Sequence, residues 1–149
     1  MRGYFQIGVY HPKKEINVGT LWRSAYQLGA AGIFTVGRRY QQQACDTAKS
    51  WRHIPLTHYS DIDDLIEHLP YGCPLVAIEM GGMKLSEFKH PERAAYILGA
   101  EDHGLPWDII RKCHEHVKLE CVRTESFNVA VAGSIVLYDR LQKHELALL

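Results

Sequence analysis

A chain of 149 residues has room for one domain with a substantial core and too little for a multidomain machine, since domains run to roughly 100–200 residues. Its 46% hydrophobic and 23% charged content argues against a disordered chain or a coiled coil. Seventeen Lys and Arg balance seventeen Asp and Glu, so the total charge does not mark a general polyanion binder, and it neither shows nor excludes a nucleic-acid partner.

Residues 4–10 (YFQIGVY) are rich in β-branched and aromatic side chains and stop at His11-Pro12, which predicts a strand. Asn17 offers the N-cap of a helix over 17–28, with Leu21, Ala25 and Leu28 on one face and Gly29 to close it. Residues 32–37 predict a second strand, giving a β-α-β start. The polar stretch 41–49 predicts one or two helical turns, and 53–58 a short extended piece. Ser60 is the expected cap of the next helix. Asp61, Asp63 and Asp64 favour its first turn, and Ile62, Leu65, Ile66 and Leu69 give helical spacing up to Pro70. Residues 74–78, 94–98 and 116–121 predict three more strands, and Pro106 suits the first turn of a helix to about Cys113. The last helix, 127–141 with Asn128 as a cap, has almost no polar residue between Val129 and Tyr138 except Ser134. It is therefore expected to be buried on more than one side, against a sheet and a twin subunit, or else enclosed within one subunit. The order β-α-β-α-β-β-α-β-α predicts an α/β fold, a mainly parallel sheet with helices on both faces, and residues 1–149 as a single domain.

The neutral total hides an asymmetry. Residues 1–52 carry eight basic and two acidic side chains, whereas 53–149 carry nine basic and fifteen acidic ones. If the chain meets a polyanion, Lys13, Lys14, Arg23, Arg38, Arg39, Lys49 and Arg52 are the expected contacts, whether gathered on one face or scattered. No apolar run reaches the roughly 18 residues of a membrane span, and the N-terminus lacks a secretory pattern, so no membrane partner is expected. Cys45, Cys73, Cys113 and Cys121 form neither a CxxC pair nor a disulfide scaffold, which suits a reducing cytoplasm.

Ligands of open α/β sheets collect beyond the carboxyl ends of the strands. Three polar or Gly-rich segments fall there: 15–23, 99–104 and 123–128. The first strand-helix connection, HPKKEINVG, has no GxGxxG, and although Gly99 and Gly104 have P-loop spacing, Leu105 stands where lysine is needed. Ordinary phosphate-driven NTP or NAD chemistry is thereby disfavoured.

The segments NVGTLWR (17–23), ILGAEDHGLP (97–106) and SFNVAVAGSIVLYDRL (126–141) resemble, in order, the three motifs of the SpoU/TrmH family of RNA ribose 2′-O-methyltransferases of the SPOUT superfamily. The resemblance spans nearly the whole chain. It implies a deep C-terminal trefoil knot, S-adenosylmethionine as methyl donor, a structured RNA substrate (transfer or ribosomal), and a homodimer with a composite site. Asn17 and Arg23 match motif one, Glu101 and Gly104 motif two, and Ser126 and Asn128 motif three; Phe127 stands where leucine is commoner. The resemblance places Gly99, Leu119, Ser126 and Asn128 at the donor pocket, with Glu79 a weaker candidate, and Arg23, Asn17, Glu101 and Asn128 at the reaction. Lys13, Lys14, Arg23, Arg38, Arg39 and Arg52 are the expected RNA contacts; no DNA partner is expected.

Arg23 can orient the ribose or its phosphate and lower the hydroxyl pKa, or act as the base itself; its ordinary pKa above 12 makes orientation the more economical role. Asn17 caps its helix or meets RNA. Glu101 fixes its loop through backbone N–H groups or a partner arginine, or works as an acid-base. Ser126 and Asn128 contact methionine and support the ribose, or make local loop hydrogen bonds. Glycines 99 and 104 suit close backbone approach. Cys113, His114, His116 and Cys121 match no strong zinc spacing, and no metal is expected. His103 lies in the donor loop and meets RNA or is a surface histidine. Trp22, Trp51 and Trp107 stack on bases or belong to core and interface. The rival to the enzyme is a catalytically idle RNA-binding module of the same fold.

Overall fold

The computed structural model describes residues 3–41, 49–124 and 126–144; Cys45, Glu125 and most of the helical turns expected over 41–49 lie outside them. The expected short extended piece is a sixth strand. The elements run β1 (Tyr4–Tyr10), α1 (Glu15–Gln27), β2 (Gly32–Val36), β3 (Leu56–Tyr59), α2 (Ile62–Glu67), β4 (Leu75–Lys84), β5 (Arg93–Leu98), α3 (Trp107–Ile110), β6 (Glu115–Lys118) and α4 (Val129–His144). The strands form one sheet in the order β3-β2-β1-β5-β4-β6, with every pairing parallel. The chain builds outward from β1 through β2 to β3, then crosses to the other half of the sheet. The strand order therefore reverses beside β1, where β5 pairs with it.

Strand alternation sorts the core onto two faces. Along β5, Ala94, Tyr96 and Leu98 join Phe5, Ile7 and Val9 of β1 against α1 and α4, while Ala95 and Ile97 point the other way, toward Ile62, Leu65, Ile109 and Ile110 of α2 and α3. Gly133 lets α4 lie close to the sheet: a Cβ there would press on Leu21, Leu98 and Ile7.

Several boundaries differ from the sequence expectation for local reasons. Helix α1 starts at Glu15 with Lys14 at the N-cap and no side-chain cap, so Asn17 sits inside the first turn instead of capping it. Its other end closes as expected on Gly29 (φ 91°): the Gly29 and Ala30 N–H groups return to Tyr26 O and Ala25 O. Asp61, not Ser60, caps α2, its carboxylate accepting from Asp64 N at 2.8 Å, while Ser60 N donates to Asp64 Oδ2 at 2.9 Å. Helix α2 ends at Glu67, short of Pro70, and Pro106 is the N-cap of a briefer α3. Strand β6 stops at Lys118, freeing residues 119–121 from the sheet. Strand β4 runs to Lys84 through a register shift between Ile78 and Met83. Asn128 does cap α4, its Oδ1 accepting from Ala130 N at 2.9 Å and Val131 N at 3.2 Å.

A buried polar cluster holds the far end of α4. Arg140, only 2% exposed, donates to Pro91 O and Glu92 O, both at 2.7 Å, and to Tyr96 Oη at 3.0 Å. A guanidinium only donates, so the Tyr96 hydroxyl passes its own proton toward His90 Nδ1 at 2.7 Å. His90 Nε2–H is then left to donate to Asp139 Oδ2, also at 2.7 Å. Burial pushes His90 down to about 4 against the opposing pull of Asp139, so it is neutral in the fold at pH 7. Between the ordinary histidine value and about 4 the unfolded chain binds the extra proton. This contribution to stability is therefore complete above roughly pH 6.5 and falls by up to about 3 kcal/mol as the pH drops toward 4. Urea unfolding at pH 7.5 and 5.0 is expected to show a shallower acid loss for His90→Gln than for the wild type; equal losses would remove His90 as the cause.

Candidate functional site

The carboxyl ends of β4, β5 and β6 and the N-terminus of α4 surround a cavity of about 570 Å³. Its wall includes Ile78, Glu79, Leu98, Gly99, Leu119 and Ser126, with Val129 and Ala132 from the first turn of α4. The size and mixed lining suit a small organic ligand. Its shape depends on a close backbone turn: a Cβ on Gly99 would overlap the Gly104 carbonyl carbon and the Leu105 nitrogen, and one on Gly104 (φ 63°) would overlap the Glu79 carboxylate. Glu79 fastens this turn, accepting from Leu105 N through Oε2 at 2.8 Å and from Met80 N through Oε1 at 2.9 Å.

Beside the cavity, one hydrogen-bond relay joins the three segments singled out in the sequence. Asn128 commits its Oδ1 to the N-terminus of α4, so its Nδ2 is the group that donates to Asn17 Oδ1, at 3.1 Å. Asn17 Nδ2 in turn donates to Glu101 Oε1 at 2.9 Å. The Glu101 carboxylate also accepts from Lys13 N at 3.2 Å and Lys14 N at 3.3 Å, at the positive end of α1. Burial pushes the Glu101 carboxyl up. The hydrogen bonds from Asn17 and from the N–H groups of Glu101, Lys13 and Lys14 outweigh it and hold the group below the usual carboxylate value. Glu101 is thus an ionised anchor that fixes its loop through backbone N–H groups. An exposed ion pair, Lys13 Nζ to Asp102 Oδ2 at 2.7 Å, ties the same two segments again.

The structure brings Glu79, Gly99, Leu119 and Ser126 to one wall, together with Glu101 and Gly104. Asn17 and Asn128 stand behind it in the relay and are absent from the lining. Arg23 is not at the cavity of its own chain: it is exposed on α1, on the same stripe as Ile16, Thr20 and Gln27. The expected RNA contacts divide. Lys14, Arg39 and Arg52 are exposed, and Lys13 is paired with Asp102. Arg38 braces the β1–α1 connection, donating to Pro12 O at 3.1 Å and Lys13 O at 2.6 Å with Glu15 3.5 Å away.

His103 lines the cavity and is exposed, Ala100 of the same expected segment lines it too, and the lining also includes Met80, Lys84, Lys118, Glu120 and Cys121, which the sequence reading missed. Glu120 and Cys121 were hidden because 116–121 reads as one continuous strand, whereas β6 stops at Lys118; for Lys84 and Met80 the signal was the Gly81-Gly82 pair that marks the β4 irregularity. Among the described residues no three His, Cys, Asp or Glu side chains gather into a metal-sized group. Cys113 Sγ donates to Ile109 O, His114 Nδ1 accepts from Leu75 N, and His116 Nε2 bonds Glu79 O. Trp22 is core, its Nε1 donating to Ile54 O at 3.0 Å, whereas Trp51 and Trp107 are exposed.

A six-stranded parallel sheet with helices on both faces and a ligand-sized cavity at its carboxyl edge defines an α/β protein of the kind that binds small ligands there. Residues 4–138 match the SpoU rRNA Methylase family, and the chain belongs to that family, within the SpoU/TrmH group of the SPOUT superfamily. An Archaeoglobus fulgidus protein described as an uncharacterized tRNA/rRNA methyltransferase is 30% identical over 128 residues, covering 82% of this chain and 57% of that protein. The chain thus spans a little over half the length of that relative. The fold is similar to the SpoU methyltransferase AviRb from Streptomyces viridochromogenes, solved in complex with AdoMet (TM-score 0.86, 19% identity, 96% of this chain and 58% of that one). It is also similar to a structure solved in work on the 2-OH methylation of C/U34 on tRNA (TM-score 0.84, 22% identity, 96% and 97% of the two chains). Among the described residues no helix is long and apolar enough to cross a membrane.

Proposed function

We propose that this protein transfers a methyl group from S-adenosylmethionine to a ribose 2′-hydroxyl of structured RNA, transfer or ribosomal. The observation that carries the proposal is that two of the three family segments line one cavity around the Gly99-Gly104 turn, and that the third is tied to them by the Glu101-Asn17-Asn128 relay. The cavity fits the donor: its volume of about 570 Å³ is of the right order, and the tight turn at Gly99 leaves backbone groups free of intervening side chains. Gly99, Leu119 and Ser126 would hold the nucleoside and methionine parts, with Glu79 keeping the turn in shape. When bound, the donor supplies an activated methyl on a sulfonium, so the protein's work is alignment, electrostatic support of the acceptor oxygen and exclusion of water.

Arg23 is proposed to orient the acceptor. Its fork can grip a phosphate or the hydroxyl in two places, and its high ordinary pKa disfavours it as a proton acceptor. Since Arg23 lies outside the cavity of its own chain, it would serve the cavity of a second copy. The surface supports a homodimer: Val131, Ile135 and Tyr138 form an exposed apolar stripe on α4, and Ile16 is exposed on the neighbouring α1. The sequence expectation for this helix is burial against a sheet and a twin subunit, or else enclosure within one subunit; the exposed stripe supports the first. We further propose the C-terminal trefoil knot of the family for this chain, and a reducing cytoplasm, with which the free thiols of Cys73, Cys113 and Cys121 agree.

The test is tritiated methyl incorporation into total transfer RNA and ribosomal RNA, followed by nucleoside mapping. Label is expected in 2′-O-methylated nucleosides. Label on a base would replace the acceptor, and RNA binding without label would replace the enzyme with an idle binding module.

A further inference from the structure

Two aromatic groups stand in solvent, one on the side of α1 away from α4 and the other on the turn at 50–52 that leads to it. Tyr26 and His53 stack with ring centroids 4.4 Å apart and planes 10° from parallel. Trp51 is 41% exposed and carries the Arg52 guanidinium 5.0 Å from its ring centroid. Neither the cavity nor the relay uses any of these side chains. Their mount is nevertheless well fixed. Ser50 is buried, its carbonyl accepts from His53 N and Ile54 N, and Ile54 O is held by the Trp22 indole at 3.0 Å. Large rings held at the surface by a braced turn, with cations beside them, are the parts of a base-stacking surface.

The placement around α1 separates this cluster from the apolar stripe. At about 100° per residue, Asn17 and Ser24, which bond Asn128 and Ser134 of α4, lie roughly opposite Tyr26 on the helix. Arg23 projects from the exposed arc between them, three residues from Tyr26 and so its neighbour on the surface. A second copy seated on the α4 stripe would therefore leave Trp51 and Tyr26 on the other flank of Arg23. The cluster is also cationic, with Arg23 and Arg52 exposed around it, so a second copy of itself would meet repulsion and a polyanion would meet attraction.

We propose that Trp51, on the same braced turn that leads to His53 and its Tyr26 partner, is a stacking platform for an unpaired base flanking the methylated ribose, and that Arg52 meets the adjoining phosphate. The proposal rests on the RNA methyl-transfer reading and adds a requirement: the target must lie in a single-stranded loop or bulge, because a paired base offers no free face.

The experiment measures binding of unfractionated transfer RNA and ribosomal RNA, and of a fully paired RNA duplex, to the full chain and its Trp51→Ala and Trp51→Phe variants, alongside S-adenosylmethionine affinity and sedimentation. Trp51→Ala is expected to weaken binding of the structured RNAs about tenfold, with Trp51→Phe retaining most of it, and duplex binding, donor affinity and sedimentation unchanged. In a Trp107→Phe background, which leaves buried Trp22 and Trp51, structured RNA is expected to quench tryptophan fluorescence and duplex RNA is not. Unchanged RNA affinity in Trp51→Ala overturns the platform while leaving methyl transfer standing. A change in sedimentation assigns Trp51 to a subunit contact and overturns it as well. A wild-type chain that neither binds nor methylates any RNA removes the underlying function too.

Discussion

Replacing Arg23 by lysine is expected to lower kcat by about 10²-fold or more, while the affinity for S-adenosylmethionine and the melting temperature stay at wild-type values. The reason is positional. Arg23 is exposed, contributes nothing to the wall of its own chain's cavity, and its side chain makes no hydrogen bond or ion pair among the described residues, so neither pocket nor fold depends on that side chain. Lysine keeps the charge and loses the planar fork, so the substitution isolates alignment of the acceptor from simple attraction of RNA. Single-turnover kinetics with saturating RNA, together with calorimetric titration of the donor, check both halves. Turnover near the wild-type level would refute the assignment, and so would a parallel loss of donor affinity. Mixing Arg23→Lys chains with chains blocked at the cavity by Gly99→Val is expected to restore part of the activity, because only a mixed dimer pairs an intact arginine with an intact cavity.

Arg140→Leu is expected to cost about 3 kcal/mol of stability, seen as a lower urea midpoint with an unchanged slope and a melting temperature lower by roughly 10 °C. Arg140 is buried and donates to Pro91 O, Glu92 O and Tyr96 Oη, with its guanidinium carbon 4.4 Å from the centre of the Phe5 ring. Leucine fills part of the volume and leaves those acceptors without a donor. A loss below about 1 kcal/mol would mean that water replaces the guanidinium at little cost. Donor affinity should fall as well, since the clamp holds one end of the helix whose other end supplies Val129 and Ala132 to the cavity.

Much of this architecture is legible in the order of residues, because strand and helix periodicity are local properties. The β-branched and aromatic content of YFQIGVY and the apolar run after Asn128 placed β1 and α4 within a few residues. The asparagine at 128 caps its helix because the side chain and the N–H groups it serves are two and three residues apart. Where expectation and structure part, a longer-range partner has won. Asn17 has the chemistry of a cap, yet its amide is drawn into the relay between Asn128 and Glu101, more than eighty residues away in either case. Strand β6 ends at Lys118, and the last three residues expected in it, 119–121, line the cavity instead.

Composition and periodicity were thus sufficient for an α/β fold with a parallel sheet and flanking helices, and three short motifs for the family, since each is written in residues close together along the chain. Which side chains face one another was settled by packing. The burial of Arg140, the ionised anchoring of Glu101, the retreat of Asn17 behind the cavity and the position of Arg23 outside it all depend on contacts between distant segments, and the energy of such contacts exists only once the sheet has brought them together.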